Sequence, residues 1–148
     1  MNPVRAATIF THRRPAETGP ALESLLQLAR EHGAVLRLDA DETRKHELQP
    51  AEGLKLDADV ERDVDICFAL GGDGTILHAL RTYAGTGVPV FAVNFGEIGF
   101  LATVDREKSA WGFKRAFAGE YEVLSLPGIT VSGGQGSWLA MNDVSMHR

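Results

Sequence analysis

Apolar residues in this chain fall into short runs, and the runs alternate between a strand-like and a helix-like period. Val4 to Phe10 is a compact apolar run that reads as a buried strand, ending in the polar, basic stretch Thr11-His12-Arg13-Arg14-Pro15. From Pro20 to Glu31, the residues Leu22, Leu25, Leu26, Leu28 and Ala29 recur at helical spacing. Gly33 stands where that helix should stop, and Ala34 to Leu38 reads as a second strand. Asp39 to Asp59 is acidic and weakly periodic, which predicts a long loop with room for one helical turn. Asp65 to Leu70 is nearly unbroken apolar sequence, the signature of a strand buried on both faces. Gly71-Gly72-Asp73-Gly74-Thr75 follows at once. Ile76 to Tyr83 then places Ile76, Leu77, Leu80 and Tyr83 on one helical face, before Gly85 and Gly87 break it. Val88 to Val93 is another buried strand, Asn94 to Leu101 a second glycine-bearing turn, and Lys108 to Phe117 a helix ending at Gly119.

This order of strands and helices predicts an α/β fold. It would be an open, mostly parallel, Rossmann-like sheet with flanking helices, spanning residues 1–120. The texture changes afterwards. Tyr121 to Val131 is rich in β-formers, Ser132 to Ser137 is a turn-rich break, and Trp138 to Met146 suits the returning strand of a hairpin. Residues 121–148 therefore read as the start of a second, β-rich unit. Trp111, Trp138 and the apolar helix faces are expected in the core.

Composition narrows the function classes. The chain has 148 residues, 24% of them charged and 44% hydrophobic, which suits a globular protein and argues against disorder or coiled coil. Its net charge of −5 argues against nucleic-acid binding through bulk positive charge, yet leaves local grip on a phosphate open. No apolar run approaches the ~20 residues of a membrane span, and Met1 to Phe10 lacks the apolar core of a signal peptide. The single cysteine, Cys67, excludes an internal disulfide and reads as a small buried hydrophobe, so a reducing cytoplasm is the expected compartment.

Three constellations carry candidate chemistry. In Gly71-Gly72-Asp73-Gly74-Thr75, at a strand-to-helix junction, the glycines let backbone N–H groups approach an anion. The following helix adds its positive end, with Thr75 in position to cap it. A carboxylate repels phosphate unless it faces a hydroxyl or a metal, so Asp73 is either a catalytic or magnesium-binding group or a local cap in a tight turn. In the second, Asn94 to Leu101, Gly96 and Gly99 permit close backbone approach. Phe100 either stacks on a flat ring or fills the core, and Asn94 has the alternative of satisfying the turn. In the third, Asn142-Asp143 offers an amide and a carboxylate to a diol, or marks a β-bulge or strand end. His78, near the first turn of the helix, lies in reach of a bound phosphate, or is a lone helix histidine. Arg13 and Arg14 either touch phosphate or sit in a solvated loop.

Gly71-Gly72-Asp73-Gly74-Thr75, Asn94-x-Gly96-x-x-Gly99-Phe100-Leu101 and Ala140-Met141-Asn142-Asp143-Val144 together resemble three ordered motifs of the ATP-dependent NAD kinases. Diacylglycerol and sphingosine kinases and phosphofructokinases carry relatives of the first motif; the second is more specific. The third departs from the usual Asn-Glu by having Asp143, which shortens the reach by one methylene.

The resemblance implies a phosphofructokinase-like N-terminal domain that transfers the γ-phosphoryl of ATP, or of polyphosphate, to the 2′-hydroxyl of the adenosine ribose of NAD. It implies that Asp73 activates that hydroxyl and that Gly72 and Gly74 line the phosphate and ribose path. It further implies that Phe100 lies against adenine, that Asn142 and Asp143 bind a ribose, and that His78 stands near the dinucleotide. Magnesium is expected with ATP, and neither a resident metal nor a tightly bound cofactor. No nucleic-acid or membrane partner is expected, and the full-length protein should be a homodimer or homotetramer. Family members continue into a β-rich domain that completes the NAD site. The resemblance therefore implies a truncated piece with little kinase activity alone. A diacylglycerol-type lipid kinase and a non-catalytic nucleotide-binding module are the alternatives.

Overall fold

Strand β4 (Ile66–Gly71) is buried along its whole length and forms the middle of the sheet. Strand β1 (Ala6–Thr11) pairs with one of its edges and strand β5 (Val90–Asn94) with the other, both parallel. Short strands β2 (Val35–Arg37), β3 (Leu54–Lys55) and β6 (Val104–Asp105) extend the sheet, giving the order β3-β2-β1-β4-β5-β6. The computed structural model describes residues 2–96, 102 and 104–140.

Alternation along the central strands splits the core between the two faces. Ala7, Ile9, Ile66, Phe68 and Leu70 point to the face covered by α1 (Pro15–His32) and α4 (Ser109–Phe117). There Phe68 meets Phe113 edge-on and stacks on Phe117, each with ring centroids 5.6 Å apart. Cys67, Ala69 and Phe10 point the other way, toward Ile76, Ala79 and Tyr83 of α3 (Asp73–Tyr83). The buried Tyr83 hydroxyl is hydrogen-bonded to Thr8 Oγ1 at 2.5 Å and donates to the Glu61 carbonyl at 3.1 Å. A strand with both faces covered must be apolar throughout, which is why Asp65 to Leu70 shows no alternation of polarity.

The expected open parallel sheet is present, with several local differences. Helix α1 begins at Pro15, five residues before the expected start, because a proline at the first helical position gives up only an N–H that has no helical acceptor. Pro20 then sits inside the helix. Gly33 ends it as expected, in the left-handed conformation with φ 64°, its N–H directed at the carbonyls of Ala29 and Arg30.

The stretch Asp39 to Asp59 contains α2 (Ala40–Lys45), a fuller helix than one turn, and the edge strand β3. Strand β6 was not anticipated; a two-residue strand leaves no periodicity to read. Helix α3 starts at Asp73 with Gly72 as its cap residue, so Thr75 lies within the first turn and does not cap it. Of Tyr121 to Val131, only the end is strand: β7 (Ile129–Gly133) pairs antiparallel with β8 (Gly136–Ala140) around Gly134 and Gln135, as a separate two-stranded sheet. Trp111 and Trp138 are surface residues, 59% and 57% exposed, which corrects their assignment to the core. Trp111 lies instead against the Arg115 guanidinium, 5.0 Å from the ring centroid.

Phe68→Ala should lower the unfolding free energy by about 3–5 kcal/mol in a denaturant titration, whereas Trp111→Ala should cost less than about 1 kcal/mol. Equal losses would place Trp111 in the core and contradict this packing.

Candidate functional site

The chain leaves β1 toward β2 on one side, and leaves β4 toward β5 on the other. Parallel sheets open a crevice at the carboxyl ends of two strands whose connections diverge in this way. An open cleft of about 480 Å³ occupies that position. Phe10, Thr11 and Arg13 line it from the end of β1, Asp39, Asp41, Glu42 and Lys45 from α2 and the residue before it, and Gly74, Thr75 and His78 from α3.

The glycine turn beside the cleft is shaped by close packing. Gly72 has φ −88° and ψ −170°, extended values open to any residue. The demand is for space. A Cβ on Gly71 would fall 2.7 Å from Thr75 Cβ, and one on Gly96 would fall 3.2 Å from Gly72 Cα. The two glycine-bearing turns are thus packed against each other, and Phe95 N–H donates to the Gly71 carbonyl at 3.0 Å. Asn94 Oδ1 accepts from Gly96 N–H at 2.8 Å, so Asn94 satisfies its own turn. Gly72 supplies no side-chain cap, and the positive end of α3 is directed past the turn at the carboxyl end of the sheet.

Asp73 is half-buried at the first position of α3. Gly74 and His78 line the cleft, and the exposed His78 ring packs edge-on against Phe10 with centroids 4.7 Å apart. Gly72 and Asp73 adjoin the cleft through the chain. Phe100, Asn142 and Asp143 lie outside the described residues. Arg13 belongs to the cleft wall, while Arg14 pairs with Glu17 at 3.5 Å. Among the described residues no group of three or more His, Cys, Asp or Glu side chains is placed to hold a metal ion.

Sequence reasoning missed a buried polar cluster on the α2 side. Glu42 Oε1 accepts from Thr11 N–H at 3.0 Å and from Lys45 Nζ at 2.6 Å, and Glu42 Oε2 accepts from the Thr11 hydroxyl at 2.5 Å. Lys45 Nζ also donates to the Thr11 carbonyl at 3.0 Å. His46 Nε2 lies 2.8 Å from Thr11 Oγ1. Because the Thr11 hydroxyl spends its one proton on Glu42, His46 must donate through Nε2. Burial pushes the Glu42 carboxyl up, but hydrogen bonds from His46, Lys45 and Thr11 outweigh it and hold the group below the ordinary glutamate range.

A signal for this helix was present. Asp39-x-x-Glu42 has the spacing of a capping box, and Asp39 Oδ1 does accept from Glu42 N–H at 2.9 Å. In the reciprocal arrangement the glutamate would turn back to the cap residue; here it reaches across to β1.

Residues 21–121, well over half of the chain, match the family model described as the ATP-NAD kinase N-terminal domain. The chain belongs to the ATP-NAD kinase family. An NAD kinase of Clostridium botulinum (strain ATCC 19397 / Type A) is 36% identical over 96 residues, covering 60% of this chain and 33% of that protein. An NAD kinase of Thermoanaerobacter pseudethanolicus is 44% identical over 69 residues, covering 47% of this chain and 24% of that protein. The chain therefore spans about a third or less of the length of these curated relatives. A crystal structure of yeast NADH kinase complexed with NADH superposes with a TM-score of 0.72 at 20% identity, covering 95% of this chain and 47% of that one. That likeness supports the kinase family's fold. No helix among the described residues is long and apolar enough to cross a membrane.

The charge on Glu42 makes stability depend on pH in a definite direction. A carboxyl held below its unfolded value of 4.5 stabilises the fold above that pH, and the contribution disappears as pH falls through the lower folded value. Wild type should therefore lose more unfolding free energy than Glu42→Gln on acidification below pH 4.5, measured by denaturant titrations at stepped pH. Parallel losses would show that Glu42 is not held ionised in the folded protein.

Proposed function

We propose that the protein is an NAD kinase, transferring the γ-phosphoryl of ATP, or a phosphoryl of polyphosphate, to the 2′-hydroxyl of the adenosine ribose of NAD to give NADP. The observation that carries this reading is the Gly71–Thr75 turn of a family member, with Asp73 at the head of α3 beside a cleft at the topological switch point.

Asp73 accepts the proton of the 2′-hydroxyl as the oxygen attacks phosphorus in line. A new bond forms between the 2′-oxygen and the γ-phosphorus, the bond from that phosphorus to the bridging oxygen breaks, and ADP leaves. Such a transfer needs positioning and charge stabilisation more than covalent help. Gly72 and Gly74 line the path because no side chain there blocks it, and the positive end of α3 favours the charge that builds on the transferring group. His78 stands at the cleft wall near the dinucleotide. Phe100 lies against adenine, and Asn142 with Asp143 holds a ribose. Magnesium enters with the donor as counter-ion of its phosphates and offsets their charge. The full-length protein acts in the cytoplasm as a homodimer or homotetramer.

Asp73→Asn keeps the size of the side chain and removes its basicity. It should lower NADP formation by about 10²- to 10⁴-fold with little change in folding. The assay uses ATP, magnesium and NAD, on this chain and on any longer form its gene encodes. Wild-type turnover by the Asn variant would remove Asp73 from the chemistry. Phosphorylation of a diacylglycerol and not of NAD would replace the substrate.

A further inference from the structure

The Thr11–Glu42–Lys45–His46 cluster has no part in the proposed chemistry, yet Thr11, Glu42 and Lys45 line the same cleft. Glu42 is 5% exposed, and the His46 and Lys45 side chains are 4% and 20% exposed. Placing ionised groups at such depth is costly unless every hydrogen bond is made. Here they are: the carboxylate accepts from an amide, a hydroxyl and an ammonium, and the ammonium donates to Glu42, to the Thr11 carbonyl at 3.0 Å and to Thr11 Oγ1 at 3.2 Å. Every one of those bonds to β1 ends on Thr11, its last residue. His12 still donates its N–H to the Leu70 carbonyl of β4 at 2.7 Å, and Arg13, the next residue, leaves the sheet and lines the cleft together with Gly74 and His78. With His12 held by that bond, a clasp on Thr11 orients the chain from which Arg13 emerges.

We propose that Glu42 is a positioning residue: through Thr11 and Lys45 it sets the β1–α1 turn so that the Arg13 guanidinium faces the polyphosphate chain of the phosphoryl donor in the cleft. This rests on the kinase reading for the identity of the donor. The chemistry recognised is a chain of phosphates, common to ATP and inorganic polyphosphate. Arg13 supplies a positive charge and a fork of N–H donors matched to phosphate oxygens. Lys45, by contrast, has its charge offset by Glu42 inside the clasp and does not compete for the ligand.

The test is steady-state kinetics on the longest form of the protein, with NAD and donor varied separately and a melting temperature recorded for each variant. Glu42→Gln should raise KM for MgATP at least about tenfold, with KM for NAD within about twofold and kcat within about threefold. Arg13→Ala should reproduce that pattern, and combining it with Glu42→Gln should add little, because both remove one contact. Thr11→Val keeps the shape of the side chain and the amide bond to Glu42. It should shift donor KM in the same direction by less, and it covers the case in which Glu42→Gln does not fold. A purely structural clasp would lower the melting temperature and leave both KM values unchanged in the folded fraction; that result overturns the proposal, as does a full additive loss in the double variant. If wild type phosphorylates no NAD, the kinase reading fails by itself. Calorimetric titration of inorganic tripolyphosphate into wild type and Arg13→Ala then decides the positioning claim, with weaker binding by the variant supporting it and equal binding or none in wild type refuting it.

Discussion

The register between β1 and β4 governs the geometry of this protein. It runs from Ala7 opposite Ile66 to Thr11 opposite Leu70. At its start, Asp65 Oδ2 accepts from the N–H groups of Arg5 and Ala6 at 2.7 and 2.9 Å, tying the approach to β4 to the entry of β1. At its end, the two strands finish nearly level, with Thr11 and Gly71 at the same edge. A slip of one residue would exchange Ile66, Phe68 and Leu70 with Cys67 and Ala69 between the two faces. Phe113 and Phe117 would lose their partner Phe68, and the small residues that let α3 lie close to the sheet would be replaced by large ones. Because both faces are buried, no such slip is tolerated. The cleft at the strand ends inherits its shape from that constraint.

Two kinds of contact then complete the site on either side of the switch point. On the β4 side the requirement is steric. Gly71 makes room for Thr75, and Gly96 makes room for Gly72, so the Gly71–Thr75 turn and Gly96 form one packed unit. On the β1 side the requirement is electrostatic, met by a buried carboxylate saturated with donors from Thr11 and Lys45. The first arrangement brings two turns into backbone contact, and the second holds a polar loop in place without apolar packing. Both operate at a sheet edge where the core has ended, which is where binding residues can be exposed without loss of stability.

Much of this was legible in the chain itself. The apolar runs Val4 to Phe10, Asp65 to Leu70 and Val88 to Val93 marked the central strands, because a strand covered on both faces is apolar except where a buried polar group such as Thr8 finds a hydrogen-bond partner. The Gly71–Thr75 motif marked the site, because glycines crowded between a strand and a helix have a packing reason to be there. Other features carried no local signal. Strands β3 and β6 are two residues each and exist only because a neighbour offers hydrogen bonds. The start of α1 was hidden by Pro20, which reads as a helix opening but stands inside a helix that begins at Pro15. Glu42 looked like one more acid in an acidic stretch; its role depends on Thr11, thirty-one residues away in sequence. Trp111 misled for the opposite reason, since a large apolar ring suggests burial, yet it lies on the outer face of α4 beside Arg115.

The most direct measurement is phosphorus NMR of the products formed from NAD and ATP with magnesium and the protein, which reads both the acceptor atom and the balance of donor and product. The account predicts one equivalent of ADP for each new phosphate, and that phosphate on the 2′-oxygen of the adenosine ribose. ADP released without a phosphorylated dinucleotide, or phosphate on any other oxygen, would contradict it.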